Sequence, residues 1–398
     1  PPSSAAPTAP RTAAHATVPH PQTLGATATG SLAPGFSTQL TSTITSGKGR
    51  GLSGLGCPQP ATAFTFNGAS LASSHPDTLT VVNPGAEDAT VDVDLADNNG
   101  PVSADAGKGM IIKAGTAQRI PLRSLTKSTS GTVSVSVLSR SGRVAAALQS
   151  VDSDNGSDWI PTAISASGLV VPGISSDVKD TVLTVYNPGI EDTTLNVRVS
   201  TGNGVITPAG HDTVDVAGGS VTTVDLGDIT HGQPAAILLS PAPGSPSIDV
   251  SAGAEVTRGS TSSGTADTAF LAAAPEVGAR GEAAGSGSSA GGSSLTTTVL
   301  LTAPGKKPAK AAVNGRSVSI PAGATVATKV DGGSAGPDGA VTVTTPSGAP
   351  AVYAARMLSA NLGGTSAFTV QPLADDHGEV LRPAARDNDS VLFDDAGN

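Results

Sequence analysis

The stretch that decides the fold occurs twice, as Asp77-Thr78-Leu79-Thr80-Val81-Val82-Asn83-Pro84-Gly85-Ala86-Glu87-Asp88 and as Asp180-Thr181-Val182-Leu183-Thr184-Val185-Tyr186-Asn187-Pro188-Gly189-Ile190-Glu191-Asp192. The two Asn-Pro-Gly turns lie 104 residues apart, and a Glu-Asp pair follows each turn at the same offset. Pro fixes φ near about −65° at the second position of a turn, and Gly accepts the positive φ that a type II turn needs at the third. The pattern therefore predicts a strand, a type II turn with Gly189 at positive φ, and a second strand.

The same interval continues beyond the turns. Apolar residues recur 104 positions apart in five pairs: Ile112 and Val216, Leu122 and Leu226, Val133 and Ile237, Val135 and Leu239, Val144 and Ile248. A third copy follows in that register, from Gly323 to Val352, with its turn at Ala303-Pro304-Gly305 and a shortened first hairpin. A register held over so many positions predicts three tandem repeats of about 104 residues.

Each repeat shows the alternation of strands. Val91, Val93 and Leu95 alternate with polar residues, which places one face on a core and the other in water, as in antiparallel sheets. About seven such runs per repeat, with turn residues every 8–12 positions, predict an all-β chain of three immunoglobulin-like antiparallel β-sandwiches. A propeller or a closed ring of three sheets is the alternative, and the strand order stays open.

The repeat and the local composition divide the chain into six segments. We predict a Pro/Ala/Thr/Ser-rich stalk, a first sandwich with its lead-in strand, a second sandwich, a flexible Gly/Ser linker, a third sandwich and an acidic tail, at 1–50, 51–163, 164–280, 281–294, 295–373 and 374–398. The stalk and the tail are predicted to be disordered. Trp159, Phe270 and Phe368 take equivalent places near the sandwich ends, and packing is favoured over carbohydrate stacking for them.

Composition excludes several partners. The net charge is −10 and basic residues do not cluster, which argues against binding to nucleic acid or to anionic lipid. The chain has no apolar run of about 18 residues, so no membrane-spanning segment is predicted.

The chain starts at Pro1 with a Pro/Thr-rich stretch, and we expect export through a removed signal or an N-terminal anchor to an extracellular or envelope location. The single cysteine, Cys57, is interpreted as a small buried residue.

Two strings imitate catalytic motifs. Gly287-Ser288-Ser289-Ala290-Gly291 has the spacing of a nucleophile elbow but lies in Gly/Ser-rich sequence without a preceding strand. Ser124-Leu125-Thr126-Lys127 has the spacing of a serine-lysine pair, but no helix is indicated and no Lys-Thr-Gly follows. We therefore predict no catalytic residue and no cofactor.

One loop is a candidate for calcium. Asp152, Asp154, Asn155 and Asp158 gather the oxygen ligands that calcium prefers, although Ala163 stands where an EF-hand needs Glu. The alternative is a polar turn, because Asp and Asn are common turn formers. The six histidines form no ligand pair, so a metal site is not predicted beyond this candidate loop.

The repeated turn, the Ala-Gly turns near Gly115, Gly219 and Gly323, and the Cys57-Pro58 segment after a Pro/Thr-rich stalk together carry a resemblance. They resemble a family of exported actinobacterial proteins, the domain-of-unknown-function family numbered 5719. The resemblance implies export and association with the cell envelope, and it supplies no catalytic residue.

These observations favour one functional class and leave two others open. We expect a non-enzymatic, exported cell-envelope protein that acts as a spacer, scaffold or protein-binding module. The alternatives are a carbohydrate-binding module of the cell wall and an enzyme of unidentified type. The expected partner is an envelope protein or a cell-wall glycan.

Overall fold

The computed structural model describes residues 25–30, 33, 35–47, 49–129, 131–152, 155–286, 289–330 and 340–376. Within these ranges the strands pair antiparallel, and short 3-10 turns occur between them, at Asp105–Gly107, Leu122–Ser124 and Thr261–Ser263. The predicted all-β antiparallel class is confirmed. The described part of the chain holds no helix of the length and apolarity that crossing a membrane requires.

An N-terminal hairpin precedes the sandwiches. Its strands are β1 (Gln39–Ile44) and β2 (Gly51–Gly56), paired from Gln39 and Gly56 to Ile44 and Gly51. Residues 39–44 lie inside the segment predicted as a stalk, so the prediction of a stalk up to residue 50 is wrong for this strand. Residues 1–24 lie outside the described residues.

Two sheets form the first sandwich. One contains, in order, β3 (Ala63–Ser70), β9 (Thr132–Ser141), β5 (Ala89–Asp97) and β6 (Gly100–Val102), with β7 (Met110–Ile112) also paired to β5. The other contains β11 (Gly156–Ile160), β10 (Ala145–Asp152), β4 (Thr78–Val82) and β8 (Ala117–Pro121). Their inward residues form one core, which includes Phe66, Leu79, Val93, Val135 and Leu148. Complete burial of each such side chain stabilises the fold by roughly 1.5–3 kcal/mol.

The second sandwich has the same plan. One sheet contains β13 (Leu169–Ile174), β19 (Ala235–Pro241), β15 (Thr193–Thr201) and β16 (Gly204–Ile206), with β17 (Thr213–Val216) also on β15. In the other, β20 (Val250–Arg258) pairs with β14 (Val178–Tyr186), β14 with β18 (Val221–Asp225), and both β12 (Ser165–Ala166) and β21 (Asp267–Ala272) pair with β20.

The third pair of sheets follows the same order with fewer strands. One sheet contains β22 (Arg280–Ala283), β29 (Val341–Thr344), β26 (Ala309–Val313) and β27 (Arg316–Ile320). The other contains β31 (Thr365–Leu373), β30 (Tyr353–Leu362), β25 (Thr296–Ala303) and β28 (Ala324–Val330). A small hairpin, β23 (Ser289–Ala290) and β24 (Ser293–Ser294), lies before β25.

The strand order, which the sequence left open, differs from an immunoglobulin constant domain in one respect. In that domain the first strand lies beside the second. Here the first strand, β3, lies beside β9, and the place beside β4 is taken by β10. The same exchange recurs with β13 and β20 in the second pair of sheets and with β22 and β30 in the third.

The pairing corrects the register predicted for β19. Val93 lies opposite Val137 in the first sandwich, and Val197 lies opposite Leu239 in the second. Val137 therefore corresponds to Leu239 at an interval of 102, and the predicted match of Val135 with Leu239 at 104 is wrong. The interval between corresponding residues thus changes by two in β19. A shift of two residues keeps each side chain on the same face of the sheet, so the alternation of apolar residues does not reveal it.

A second slip affects β20. Leu79 lies opposite Leu148, and the corresponding Leu183 lies opposite Ala254, an interval of 106 between the β10 and β20 residues. The turn that joins β19 to β20 is thus four residues longer than the turn that joins β9 to β10. Val144 corresponds to Val250, and the predicted match with Ile248 is wrong.

The predicted linker at 281–294 is corrected in part. Arg280–Ala283 is the strand β22, which pairs with β29 through Gly281 and Val343. A Cβ on Gly281 would lie 2.7 Å from the Ala374 carbonyl oxygen, so the backbone is closely packed there. The start of the predicted tail is also bonded, because the Asp376 amide donates to the Arg280 carbonyl at 2.8 Å. Residues 287, 288 and 377–398 lie outside the described residues.

The repeated turn is built by asparagine and not by glycine. Gly189 does not have a positive φ, so the predicted type II turn is wrong. The Gly189 amide instead donates to Asn187 Oδ1 at 2.9 Å, and Asn187 Nδ2 donates to the carbonyls of Glu191 at 2.7 Å and Val216 at 3.3 Å. Asn83 makes the corresponding three bonds in the first sandwich. A buried Asn that joins the turn to the next hairpin explains the recurrence of the motif.

Candidate functional site

The last strands of the three sandwiches meet at one place. Strand β21 packs against both β11 and β31, and β2 packs against β11 and β31 from the other side. We call this meeting of β2, β11, β21 and β31 the junction. It is the place where residues far apart in sequence come together, and it adjoins a cleft.

Apolar side chains cross the junction from one sandwich to the next. Phe270 of the second sandwich belongs to the core of the first. Met357, Phe368 and Val370 of the third belong to the core of the second. Apolar side chains therefore link the first sandwich to the second and the second to the third.

Asp158 is the centre of the polar contacts at the junction. Its side chain is 1% exposed. Its Oδ1 atom accepts hydrogen bonds from the amides of Gly54 and Trp159 and from the Thr369 hydroxyl, at 3.0, 2.8 and 3.0 Å. Its Oδ2 atom has no hydrogen-bond partner among the described residues. Burial raises the pKa of this carboxyl well above its usual value, and the hydrogen bonds oppose the rise.

A second buried carboxyl, Asp267, lies nearby. Its Oδ2 atom accepts a hydrogen bond from the Phe368 amide at 2.6 Å, and among the described residues its Oδ1 atom has no partner. Burial raises its pKa well above the usual value, the bond from Phe368 opposes this rise, and the charge of Asp158 adds to it. Glycine is required beside Asp267, because a Cβ on Gly51 would lie 2.5 Å from Oδ1 and a Cβ on Gly156 2.7 Å.

The third sandwich contributes a buried arginine to this network. Arg356 is fully buried, and burial lowers its pKa to about 9. It donates to Gln371 Oε1 at 2.8 Å and to the Ala284 carbonyl at 2.5 Å. Gln371 Nε2 in turn donates to Thr369 Oγ1 at 3.3 Å. A chain of hydrogen bonds therefore runs from Arg356 through Gln371 and Thr369 to Asp158 in the first sandwich.

Arg258 joins the second and third sandwiches. Its guanidinium group donates to Ser175 Oγ at 2.6 Å and pairs with Asp177 at 2.9 Å. The same group lies 4.0 Å from the centre of the Phe368 ring. This cation–π contact is buried, since Arg258 is 3% exposed.

A cleft of about 430 Å³ lies between the first and second sandwiches beside the junction. Val182, Glu255 and Phe270 are neighbours across β14, β20 and β21, and they line it from the second sandwich. The first sandwich contributes mainly glycine and hydroxyl residues, with His75, Asp152 and Asp158. We call this the interdomain cleft.

Two carboxyls have raised pKa values here: Glu255, which lines the cleft, and Asp77, which is bonded to lining residues. Glu255 accepts no hydrogen bond from the described residues, and burial together with the charges of Asp152, Asp77 and Asp180 raises its pKa to about 7. Burial raises the pKa of Asp77 to about 6, although the Ser70 amide at 2.8 Å and the Ser150 hydroxyl at 2.9 Å donate to it. Strongly perturbed carboxyls in a cleft are typical of binding and catalytic sites.

The structure separates the residues of the predicted calcium loop. Asn155 Nδ2 donates to Asp152 Oδ2 at 2.9 Å, whereas Asp158 is turned into the junction. Asp154 lies outside the described residues. Among the residues that the structure describes, no three His, Cys, Asp or Glu side chains are grouped to hold a metal ion.

The other singled-out residues are placed as follows. By strand pairing Trp159 corresponds to Phe270, as predicted, but Phe368 corresponds to Thr268. Phe368 is fully buried at the junction, while Trp159 is half-buried. Cys57 is exposed, so its interpretation as a buried residue is wrong.

Sequence reasoning missed Asp267, Glu255 and Arg356. Each occupies a strand position without a motif around it. The sequence did contain one indication of Arg356 and Asp267. Each is a charged residue in a strand whose neighbouring residues are buried. A charged residue on the core side of a strand is rare unless it is paired or hydrogen-bonded.

Comparison with known proteins identifies a family without assigning an activity. No curated protein matches the chain. Among solved structures, a β-glucuronidase of Bacteroides uniformis shares 12% identity, and the alignment covers 58% of this chain and 32% of the enzyme at a TM-score of 0.13. A likeness at that level carries no argument.

The family match confirms the resemblance drawn from the repeated turns. The family described as a family of unknown function (DUF5719) matches residues 11–334, which is more than half of the chain. The match includes both Asn-Pro-Gly turns and the strands that face the interdomain cleft from either side. This chain belongs to the family of unknown function DUF5719.

Proposed function

We propose that the protein is a non-enzymatic scaffold or spacer of the cell envelope, exported from the cell, that holds its partners at a fixed separation. The observation that supports this most is the junction, where the three sandwiches are joined by hydrogen bonds and by apolar side chains that pack into a neighbouring core. Asp158, Thr369 and Arg356 are part of one buried network, although they belong to the first and third sandwiches.

Shared burial supports a fixed arrangement of the sandwiches. Domains joined by small polar interfaces move relative to one another by default. Here Phe270 and Phe368 each fill a neighbouring core, so separating the sandwiches would expose large apolar side chains to water. A protein whose domains keep a fixed arrangement is suited to hold its partners at a set separation.

The expected partner is an envelope protein, and a cell-wall glycan is the second candidate. The net charge of −10 disfavours nucleic acid and anionic lipid as partners. Export and envelope location are inferred from the resemblance and from the N-terminal composition.

The proposal is tested with the full chain immobilised and exposed to solubilised envelope extract, in parallel with small-angle scattering in solution. We expect one retained protein partner and a radius of gyration that stays constant between low and high salt. Recovery of polysaccharide without protein would establish the carbohydrate-binding alternative instead. A radius of gyration that grows with salt would contradict the fixed arrangement, and turnover of a recovered compound would overturn the non-enzymatic assignment.

A further inference from the structure

The interdomain cleft has the composition of a site for a cation. Among its lining residues are three carboxylic acids, Asp152, Asp158 and Glu255, and no lysine or arginine. His75 is the one basic side chain that lines it, and its Nε2 atom lies 3.8 Å from Asp152 Oδ2. The lining therefore contains more carboxyl groups than basic groups, a composition that suits a cation.

One carboxyl group at the cleft has unused hydrogen-bonding capacity. Asp158 lines the cleft, is 1% exposed, and its Oδ2 atom has no partner among the described residues. Buried acceptors normally have donors, so this oxygen indicates a missing donor. Glu255 is partly buried on the opposite side of the same cleft.

The wall of the cleft around Glu255 is apolar on the side of the second sandwich. Val182 and Phe270 flank Glu255 on the neighbouring strands and offer a surface for methylene groups. A ligand that fits both parts has a hydrocarbon stem and a cationic end with several hydrogen-bond donors. An aliphatic ammonium group has three donors on a flexible stem.

We propose that the interdomain cleft binds a primary amine on an aliphatic stem, as in the lysyl side chain of a peptide, with the ammonium group at Glu255 and the stem against Val182 and Phe270. This site is independent of the scaffold role proposed above. It would stand if the chain held no partner from envelope extract, and the scaffold role would stand if no amine bound.

Binding at this site has a proton signature. The groups that face Glu255 are Asp77, Asp152 and His75 from the first sandwich and Asp180 from β14. These neighbours and burial keep Glu255 largely protonated at pH 6, since its pKa is raised to about 7. An ammonium ion favours the carboxylate, so binding at pH 6 releases a proton and binding at pH 8.5 releases almost none.

The experiment is isothermal titration calorimetry of the full chain with Nα-acetyl-lysine amide, whose side chain keeps its ammonium group. The uncharged analogue is Nα-acetyl-norleucine amide. We expect the lysine compound to bind about tenfold or more tightly than the norleucine compound. At pH 6 the measured heat should depend on the ionisation enthalpy of the buffer, and at pH 8.5 this dependence should be small.

Two matched variants locate the site. Glu255→Gln should lower the affinity for the lysine compound about tenfold or more, because the carboxylate is lost while the shape is kept. Glu191→Gln makes the same change at an exposed position of the second sandwich and should leave the affinity within about twofold. Equal binding of the two compounds, an absence of binding at millimolar concentration, or equal losses in both variants would each overturn the proposal. The buffer dependence is measured on the unaltered chain, so it decides the matter even if Glu255→Gln does not fold.

Discussion

The hydroxyl of Thr369 donates a hydrogen bond to Asp158 Oδ1 at 3.0 Å, across 211 residues of sequence. This bond joins the last strand of the third sandwich to the last strand of the first. Both side chains are buried, so water does not replace either partner if the other is removed.

Replacing Thr369 by Val tests the strength of the junction. The change keeps the shape and removes the donor to Asp158, and we expect the free energy of unfolding to fall by about 1–3 kcal/mol. Urea denaturation followed by fluorescence of Trp159 measures the loss. Thr296→Val, the same change at an exposed position of the third sandwich, is the control and should alter stability by less than about 0.5 kcal/mol. Equal effects of the two variants would show that the bond to Asp158 contributes nothing.

The repeated turn makes a prediction about asparagine. Asn187→Ala removes the donor to two carbonyls and the acceptor of the Gly189 amide, and we expect a loss of about 3 kcal/mol in thermal melting. Gly189→Ala should cost less than about 1 kcal/mol, because φ at this position is not positive. If Gly189→Ala proved the more damaging variant, glycine and not asparagine would fix the turn.

The cleft predicts a dependence of stability on pH. The pKa of Glu255 rises from its ordinary 4.5 to about 7 in the folded chain, so the folded state binds the proton more tightly than the unfolded state. The stability that Glu255 contributes is therefore complete below about pH 4.5 and is lost as the pH rises through about 7. We expect Glu255→Gln to be more stable than the unaltered chain at pH 8, by on the order of 2–3 kcal/mol, and to differ little at pH 4.

Calorimetric melting at pH 4, 6 and 8 measures this effect. Glu191→Gln serves as the control and should follow the unaltered chain at each pH, because Glu191 is exposed in the turn. A stability gain in Glu255→Gln that is the same at pH 4 and at pH 8 would contradict the assignment of the pH dependence to this carboxyl.

Strand β22 predicts an effect of bulk at Gly281. A Cβ there would lie 2.7 Å from the Ala374 carbonyl oxygen, so Gly281→Val should destabilise the chain by about 2 kcal/mol or more. Gly305→Val, in the same sandwich, meets nothing within 4 Å and should cost far less. Thermal melting compares the two. A silent Gly281→Val would restore the interpretation of this stretch as a flexible linker.

Local patterns in the sequence predicted much of the fold. The alternation around Val91, Val93 and Leu95 depends only on which face each side chain occupies, so it identifies the strands. The same property hid the slips at Leu239 and Val250, since a shift of two residues leaves the pattern unchanged. The type of the turn was predicted wrongly because Pro-Gly is typical of a type II turn with a positive φ at glycine. In the structure the side chain of Asn187 makes the hydrogen bonds that hold the turn.

The junction and the cleft were not predictable in this way. Asp158, Asp267 and Arg356 acquire their environments from strands of other sandwiches. Nothing within ten residues of Asp158 indicates that Thr369 will lie beside it. Single-sequence reasoning detects periodicity and short motifs, and it has no access to partners 100–200 residues away.

The way the chain closes at the junction has a consequence for how it folds. Gln39 Nε2 donates to Gln371 Oε1 at 3.5 Å, and these residues are 332 positions apart. Strand β2 also packs against β31, the last strand described, so the N-terminal hairpin cannot complete its contacts before β31 is present. Contacts of such long sequence separation form slowly, because a large loop entropy is lost before they are made. During synthesis, the face of β21 that packs against β31 stays uncovered until β31 has been made. This interval, more than the stability of any one sandwich, is then the stage at which the chain is most open to aggregation or proteolysis.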